Sequence, residues 1–153
     1  MASDPTFRSY RPDQAQKYAG GRPGYPPVLY EHMYAEHAAS GGDFGFVVDV
    51  GCGPGIATRD LALTFEHVVG VDPGEEMINV ARERGGETTK GEKVRYEVCE
   101  AERIALAPGI PIGEVDMITA ATAVRWAFLI LGLIQDRCVE WYCRIVVRCG
   151  GDI

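Results

Sequence analysis

The stretch Val47-Val48-Asp49-Val50-Gly51-Cys52-Gly53-Pro54-Gly55 constrains this chain more than any other part of it. The β-branched run predicts a buried strand. The three glycines at 51, 53 and 55 then allow a sharp reversal and let the backbone approach a ligand where a Cβ would collide. Ile56, Ala57, Leu61, Ala62 and Phe65 recur at helical spacing. The turn therefore opens a helix whose first amides face whatever the loop holds. A strand, a glycine turn and a helix in that order suit a nucleotide-like cofactor, and the spacing decides which kind. A dinucleotide fingerprint G-x-G-x-x-G starting at Gly51 requires glycine at 56, where Ile56 stands; the pattern present is D-x-G-x-G-x-G from Asp49.

A second strand, His67 to Val71, leads into Asp72 roughly 20 residues beyond the first glycine, where a β-α-β unit places an acid beside a ribose. A carboxylate accepts from both ribose hydroxyls, so Asp72 discriminates only against a 2′-phosphate. Further elements follow from apolar spacing and breakers. A Pro/Gly/Tyr-rich leader over residues 1–25 precedes a helix from Pro27 through Val28, Leu29, Met33 and Tyr34 to about Ser40. The first strand spans Phe44 to Val50. A helix through Met77, Ile78, Val80 and Ala81 ends at Gly85-Gly86; strands follow over Val94 to Cys99 and Val115 to Thr119. Alternating strands and helices predict an α/β, Rossmann-like parallel sheet with right-handed crossovers and helices on both faces. Ligands of such sheets bind at the carboxyl ends of the strands, where the glycine turn, Asp72, Glu100 and Ala121 fall.

Composition bounds the partners. With 153 residues, 46% of them hydrophobic, the chain can bury one core. A net charge of −7 argues against nucleic acid, whose binders carry basic patches, and favours a small-molecule substrate. Five cysteines without a C-x-x-C pair fit neither a disulfide framework nor a zinc site, which predicts a reduced, cytoplasmic protein without metal. Met1 to Gln14 lacks an apolar signal region, and the longest apolar run, Trp126 to Ile134, is shorter than a bilayer needs, so no membrane is expected. His32, His37 and His67 lack ligand spacing and are expected at the surface or at strand ends.

From Tyr10 to Trp126 the chain resembles the class I S-adenosylmethionine (SAM)-dependent methyltransferases, in particular small-molecule enzymes such as the trans-aconitate methyltransferases and their fungal relatives. Several segments carry the resemblance. The Asp49 to Gly55 pattern resembles the family's first motif. Tyr18-Ala19-Gly20-Gly21-Arg22-Pro23-Gly24-Tyr25-Pro26 resembles a Y-x-x-x-R-P-x-Y-P leader that folds over the cofactor. Asp72 with Met77 resembles D-x-S-x-x-M, which implies Met77 against the adenine. Cys99-Glu100-Ala101-Glu102 resembles G-D-A-E, with Glu100 in place of Asp toward the adenine amino group and the Ala101 amide toward a ring nitrogen. Thr119 to Trp126 resembles A-x-x-A-x-H-W, with Ala121 beside the cofactor, Arg125 where the family has His, and Arg125 and Trp126 toward the substrate.

The resemblance thus implies SAM as cofactor and three parts. These are a leader over 1–25, a cofactor-binding unit over 26–126 and a divergent apolar and helical segment over 127–153. It also implies seven strands, of which four are legible here. Glu140 to Gly151 only faintly resembles the family's helix ending in R-V-L-K-P-G-G, with Cys149 in place of Pro. The chain thus reads as a shortened member, its fourth strand a sheet edge that invites a protein partner or self-association. Three functions follow: methyl transfer to a small metabolite, a carboxylate or a secondary-metabolite intermediate; a non-catalytic cofactor-binding remnant or partner subunit; and an NAD-dependent oxidoreductase, which the missing glycine at 56 disfavours. No residue is assigned as catalytic. A carboxylate acceptor needs no base, and no histidine stands in a motif that would supply one.

Overall fold

The computed structural model describes residues 9–111 and 113–121. Four parallel strands form one sheet: β1 (Phe46–Val50), β2 (His67–Asp72), β3 (Arg95–Val98) and β4 (Met117–Thr119), in the order β3-β2-β1-β4. Side chains alternate across it. Val47, Val68, Tyr96 and Met117 join a core cluster on one face, while Phe46, Val48, Val50, Val69 and Val71 join a second on the other. Burial on both faces explains why β1 reads as a continuous apolar run rather than an alternating one.

The order places the site. From β1 to β2 to β3 the chain steps in one direction, so right-handed crossovers put both connecting helices on the same face. Helix α3 (Ile56–Ala62) and α4 (Glu75–Arg84) do lie together there, through Leu61, Ala62, Ile78 and Ala81. The chain then returns past β1 to β4, and the short 3-10 turn over Ala101–Leu106 packs Ala101 and Ile104 on the opposite face. Strand order therefore reverses between β1 and β4, and ligand crevices open above such a point.

Helix α1 (Pro12–Gly21) and α2 (Pro27–Ala39) precede the sheet. Ten residues of the Pro/Gly/Tyr-rich leader form α1. Pro12 suits the first helical position, and the Arg11 N–H donates to Gln14 Oε1 at 2.9 Å. Its face of Ala15 and Ala19, small enough for close approach, packs with Met77 and Val80 of α4. On α2, Tyr30, Met33, Tyr34 and the buried His37 face the sheet, whereas Val28 is 65% exposed and plays no core part. His37 corrects the surface expectation: it is 2% exposed, its Nε2 donates to the Asp43 carbonyl at 2.7 Å, and its ring stacks edge-on to Phe44. Helix α3 stops at Ala62, so Phe65 enters the core from the loop that follows. Strands β1, β3 and β4 begin or end one or two residues inside their expected bounds and β2 runs one residue further, to Asp72. Just outside the strands the Phe44 carbonyl accepts the Glu66 N–H at 3.0 Å and the Cys99 N–H donates to the Asp72 carbonyl at 3.1 Å.

Candidate cofactor site

The glycine turn adopts the conformation its sequence demands. Gly51, Gly53 and Gly55 all have positive φ, at 66°, 53° and 76°, a region costly for other residues. Their reasons differ. A Cβ on Gly55 would lie 2.8 Å from the Tyr96 ring, so this glycine lets α3 start directly over β3. A Cβ on Gly53 meets no protein atom within 4 Å, so this position faces outward at the crevice. Gly70 on β2 supplies the floor: a Cβ there would meet Cys52 Sγ and the Tyr96 ring at 3.0 Å. Tyr96 in turn donates its hydroxyl to the Gly85 carbonyl at 2.9 Å, and Arg59 holds the Pro54 carbonyl at 3.0 Å.

Asp72 closes the turn from the side. Its Oδ2 accepts the Gly53 N–H at 2.9 Å and its Oδ1 accepts the Gly74 N–H at 2.8 Å. One carboxylate thus fixes both the glycine turn and the entry to α4. Asp49 sits beneath, 1% exposed; its Oδ2 accepts from the Thr58 hydroxyl at 2.6 Å and its Oδ1 from the Thr119 hydroxyl at 2.9 Å. Burial pushes its carboxyl up to about 6, against the pull of the two hydroxyls toward the charged form. Burial also raises the Cys52 thiol, with Asp49 and Asp72 adding to it, so Cys52 is an inert core residue.

Beside Asp72 lies a depression of about 410 Å³, lined among others by Pro73, Val98, Cys99, Glu100, Arg103 and Leu106. Glu100 stands at the head of the 3-10 turn that Ala101 begins. The structure therefore brings Asp49, Gly51, Gly53, Gly55, Asp72, Glu100 and Ala101 to the carboxyl edge of the sheet, with Ala121 two residues past β4. Met77, the third residue of α4, is 2% exposed and packs with Ala15, Ala19 and Val80, where it holds α1 on α4. Tyr18 packs on that cluster and receives the Arg22 guanidinium, which donates to its hydroxyl and lies 5.4 Å from its ring centroid. Arg125, Trp126 and the apolar run to Ile134 lie outside the described residues. Thr58, Gly70, Tyr96 and Thr119 were not singled out from sequence, since only the folded sheet shows what each touches.

A methyltransferase-domain family model matches residues 47–129, more than half of the chain. Methyltransferase cfoB of Aspergillus candidus is 33% identical over 124 residues, covering 80% of this chain and 38% of that protein. The chain belongs to the class I SAM-dependent methyltransferases. Methyltransferase gedG of Aspergillus terreus is similar to this methyltransferase domain at 34% identity over 116 residues, which cover 76% of the chain and 34% of the relative. The solved structure of a proposed type II methyltransferase from Anaeromyxobacter dehalogenans matches with a TM-score of 0.51 and 34% identity, over 71% of this chain and 40% of that one. The domain thus spans well under half the length of the relatives it matches.

SAM is the cofactor that goes with this family, and the residues fit it. The outward-facing Gly53 leaves backbone accessible, the nearby acid suits a ribose, and the depression between Pro73 and Glu100 suits a flat base. Among the described residues no cluster of side chains could hold a metal ion, and no helix is long and apolar enough to cross a membrane.

Proposed function

We propose that the chain is the cofactor-binding part of an enzyme that transfers a methyl group from SAM to a small metabolite, a carboxylate or a secondary-metabolite intermediate. The observation that carries this reading is the convergence of the glycine turn, Asp72 and Glu100 on one edge of the sheet. When bound, SAM supplies an electrophilic methyl group, and the protein's share is to hold and orient it in line with the acceptor. Asp72 would take the ribose hydroxyls, since each carboxylate oxygen accepts more than one hydrogen bond. Glu100 and the Ala101 amide would meet the base, and Asp49 would act from beneath the turn. Met77 would serve by seating α1, which brings Tyr18 and Arg22 to their positions.

On the acceptor side the proposal rests on Arg125, whose guanidinium suits bidentate contact with an acidic substrate, and on Trp126 beside it. The net charge of −7 favours a small molecule over nucleic acid as substrate. A carboxylate acceptor is ionised at neutral pH and needs no base from the protein.

Calorimetric titration with S-adenosylhomocysteine tests the cofactor half. Saturable binding is expected, weakened at least about tenfold in Asp72→Asn, which keeps the shape but removes the charge that two amides and a ribose share. Absence of binding in a folded, monodisperse sample would refute the reading.

A further inference from the structure

We propose that Thr58 and Thr119, acting through the buried Asp49 carboxylate, hold α3 and β4 against the glycine turn, so that cofactor affinity depends on the charge of Asp49. The inference rests on the cofactor reading above and adds a positioning device to it. Asp49 is the fourth residue of β1 and pairs in register with Gly70 on one side and Thr119 on the other. Three elements therefore meet at one side chain: β1 by the backbone, α3 by the Thr58 hydroxyl at 2.6 Å and β4 by the Thr119 hydroxyl at 2.9 Å. Strand β4 is three residues long and pairs with β1 through Val47, Val48 and Asp49, and Asp116 just before it exchanges hydrogen bonds with the Phe46 backbone. So short a strand gains much from a side-chain tie at its carboxyl end, and Ala120 and Ala121 follow directly.

The chemistry makes the tie sensitive to charge. An ionised carboxylate only accepts hydrogen bonds, so both threonines are fixed as donors, and the bonds are charge-assisted. Protonation turns one oxygen into a donor. One threonine must then reverse its hydroxyl, and both bonds weaken to neutral ones. None of the ion pairs among the described residues includes Asp49. The titratable groups that face it are all acidic: Asp72 from β2, Cys52 from the glycine turn, Tyr30 from α2 and Tyr96 from β3. From α3 and β4 only the two hydroxyls reach it. Such surroundings oppose the charge, and burial lifts the carboxyl to about 6, close enough to neutrality for mild acid to switch it. A carboxylate this buried, without a cation, is costly to keep, and the geometry points to positioning as its use.

The test is titration of the full chain with S-adenosylhomocysteine from about pH 8 to about pH 5, for wild type, Thr119→Val, Thr119→Ser and Asp49→Asn. Wild-type affinity is expected to hold above neutrality and to fall on acidification through about 6, the carboxyl's own range. Thr119→Val, which keeps the β-branched shape, is expected to bind about tenfold more weakly. Its fall should begin at higher pH, because the lost hydrogen bond favoured the charged form. Thr119→Ser should recover affinity to within about threefold, and Asp49→Asn should flatten the profile. A purely structural threonine would leave the pH midpoint where it is. Equal midpoints in wild type and Thr119→Val, or an undiminished acid fall in Asp49→Asn, would overturn the inference while leaving the cofactor reading intact. No binding by wild type at any pH would overturn both.

Discussion

Asp49 and Asp72 share a residue type and a neighbourhood and do different work. Asp72 organises two backbone amides at the crevice, whereas Asp49 is sealed beneath it with only hydroxyl partners. The folded carboxyl of Asp49 is raised from 3.8 to about 6. A group raised in this way contributes stability that is fully present below its unfolded value and is lost as pH rises through the folded one. The melting temperature of wild type relative to Asp49→Asn should therefore decline as pH climbs through about 6, which thermal unfolding across a pH series will check. The proton thus stabilises the fold while, on the inference above, it weakens the ligand. The glycines separate in the same manner. Gly55→Ala combines a positive φ with a Cβ only 2.8 Å from the Tyr96 ring and should cost about 2–4 kcal/mol in denaturant unfolding. Gly53→Ala carries only the φ cost, about 1 kcal/mol, but should obstruct S-adenosylhomocysteine binding in calorimetry.

Among the elements, α1 depends most on tertiary support. Its apolar face is two buried alanines beside the partly buried Tyr18, and it is held by the groove that Met77 and Val80 offer, by Gln16 donating to Glu83 at 2.7 Å and by Arg84 donating to the Ala19 carbonyl at 3.0 Å. Met77→Ala should cost about 2–3 kcal/mol and speed amide exchange along α1 well before the sheet is affected. Strand β3 is an edge in the described sheet, and α4 guards it. Arg82 donates from Nε and one terminal nitrogen to the Tyr96 carbonyl, at 3.0 and 2.7 Å. Arg82→Ala should free that carbonyl and promote association between chains, visible as a rise in scattering mass with concentration.

At the scale of the molecule, the reversal of strand order between β1 and β4 gathers the turn, Asp72 and Glu100 on one edge. A ligand there adds to the ties that Asp49 and Asp72 already make between these elements. S-adenosylhomocysteine at about 100 times its dissociation constant should add about 2.7 kcal/mol, which raises the melting temperature by about 5–10 °C in a domain of this size. Differential scanning calorimetry checks the shift, and hydrogen exchange should place the protection at the glycine turn and the loop after β3.

The order of strands and helices, the positive-φ turn and the acid at the end of β2 were determined by the sequence itself. Each follows from local periods, from glycine's missing Cβ and from a fixed β-α-β spacing, all properties of neighbouring residues. Tertiary structure decided the rest. That the leader forms a helix depends on a groove made by α4, some 60 residues on, and that His37 is buried depends on Phe44 and Phe65 closing over α2. The partnership of Asp49 with Thr119 crosses 70 residues and exists only because β4 returns to the far side of β1. No pattern within a strand encodes its neighbour, since pairing is settled by how the whole sheet buries its two faces.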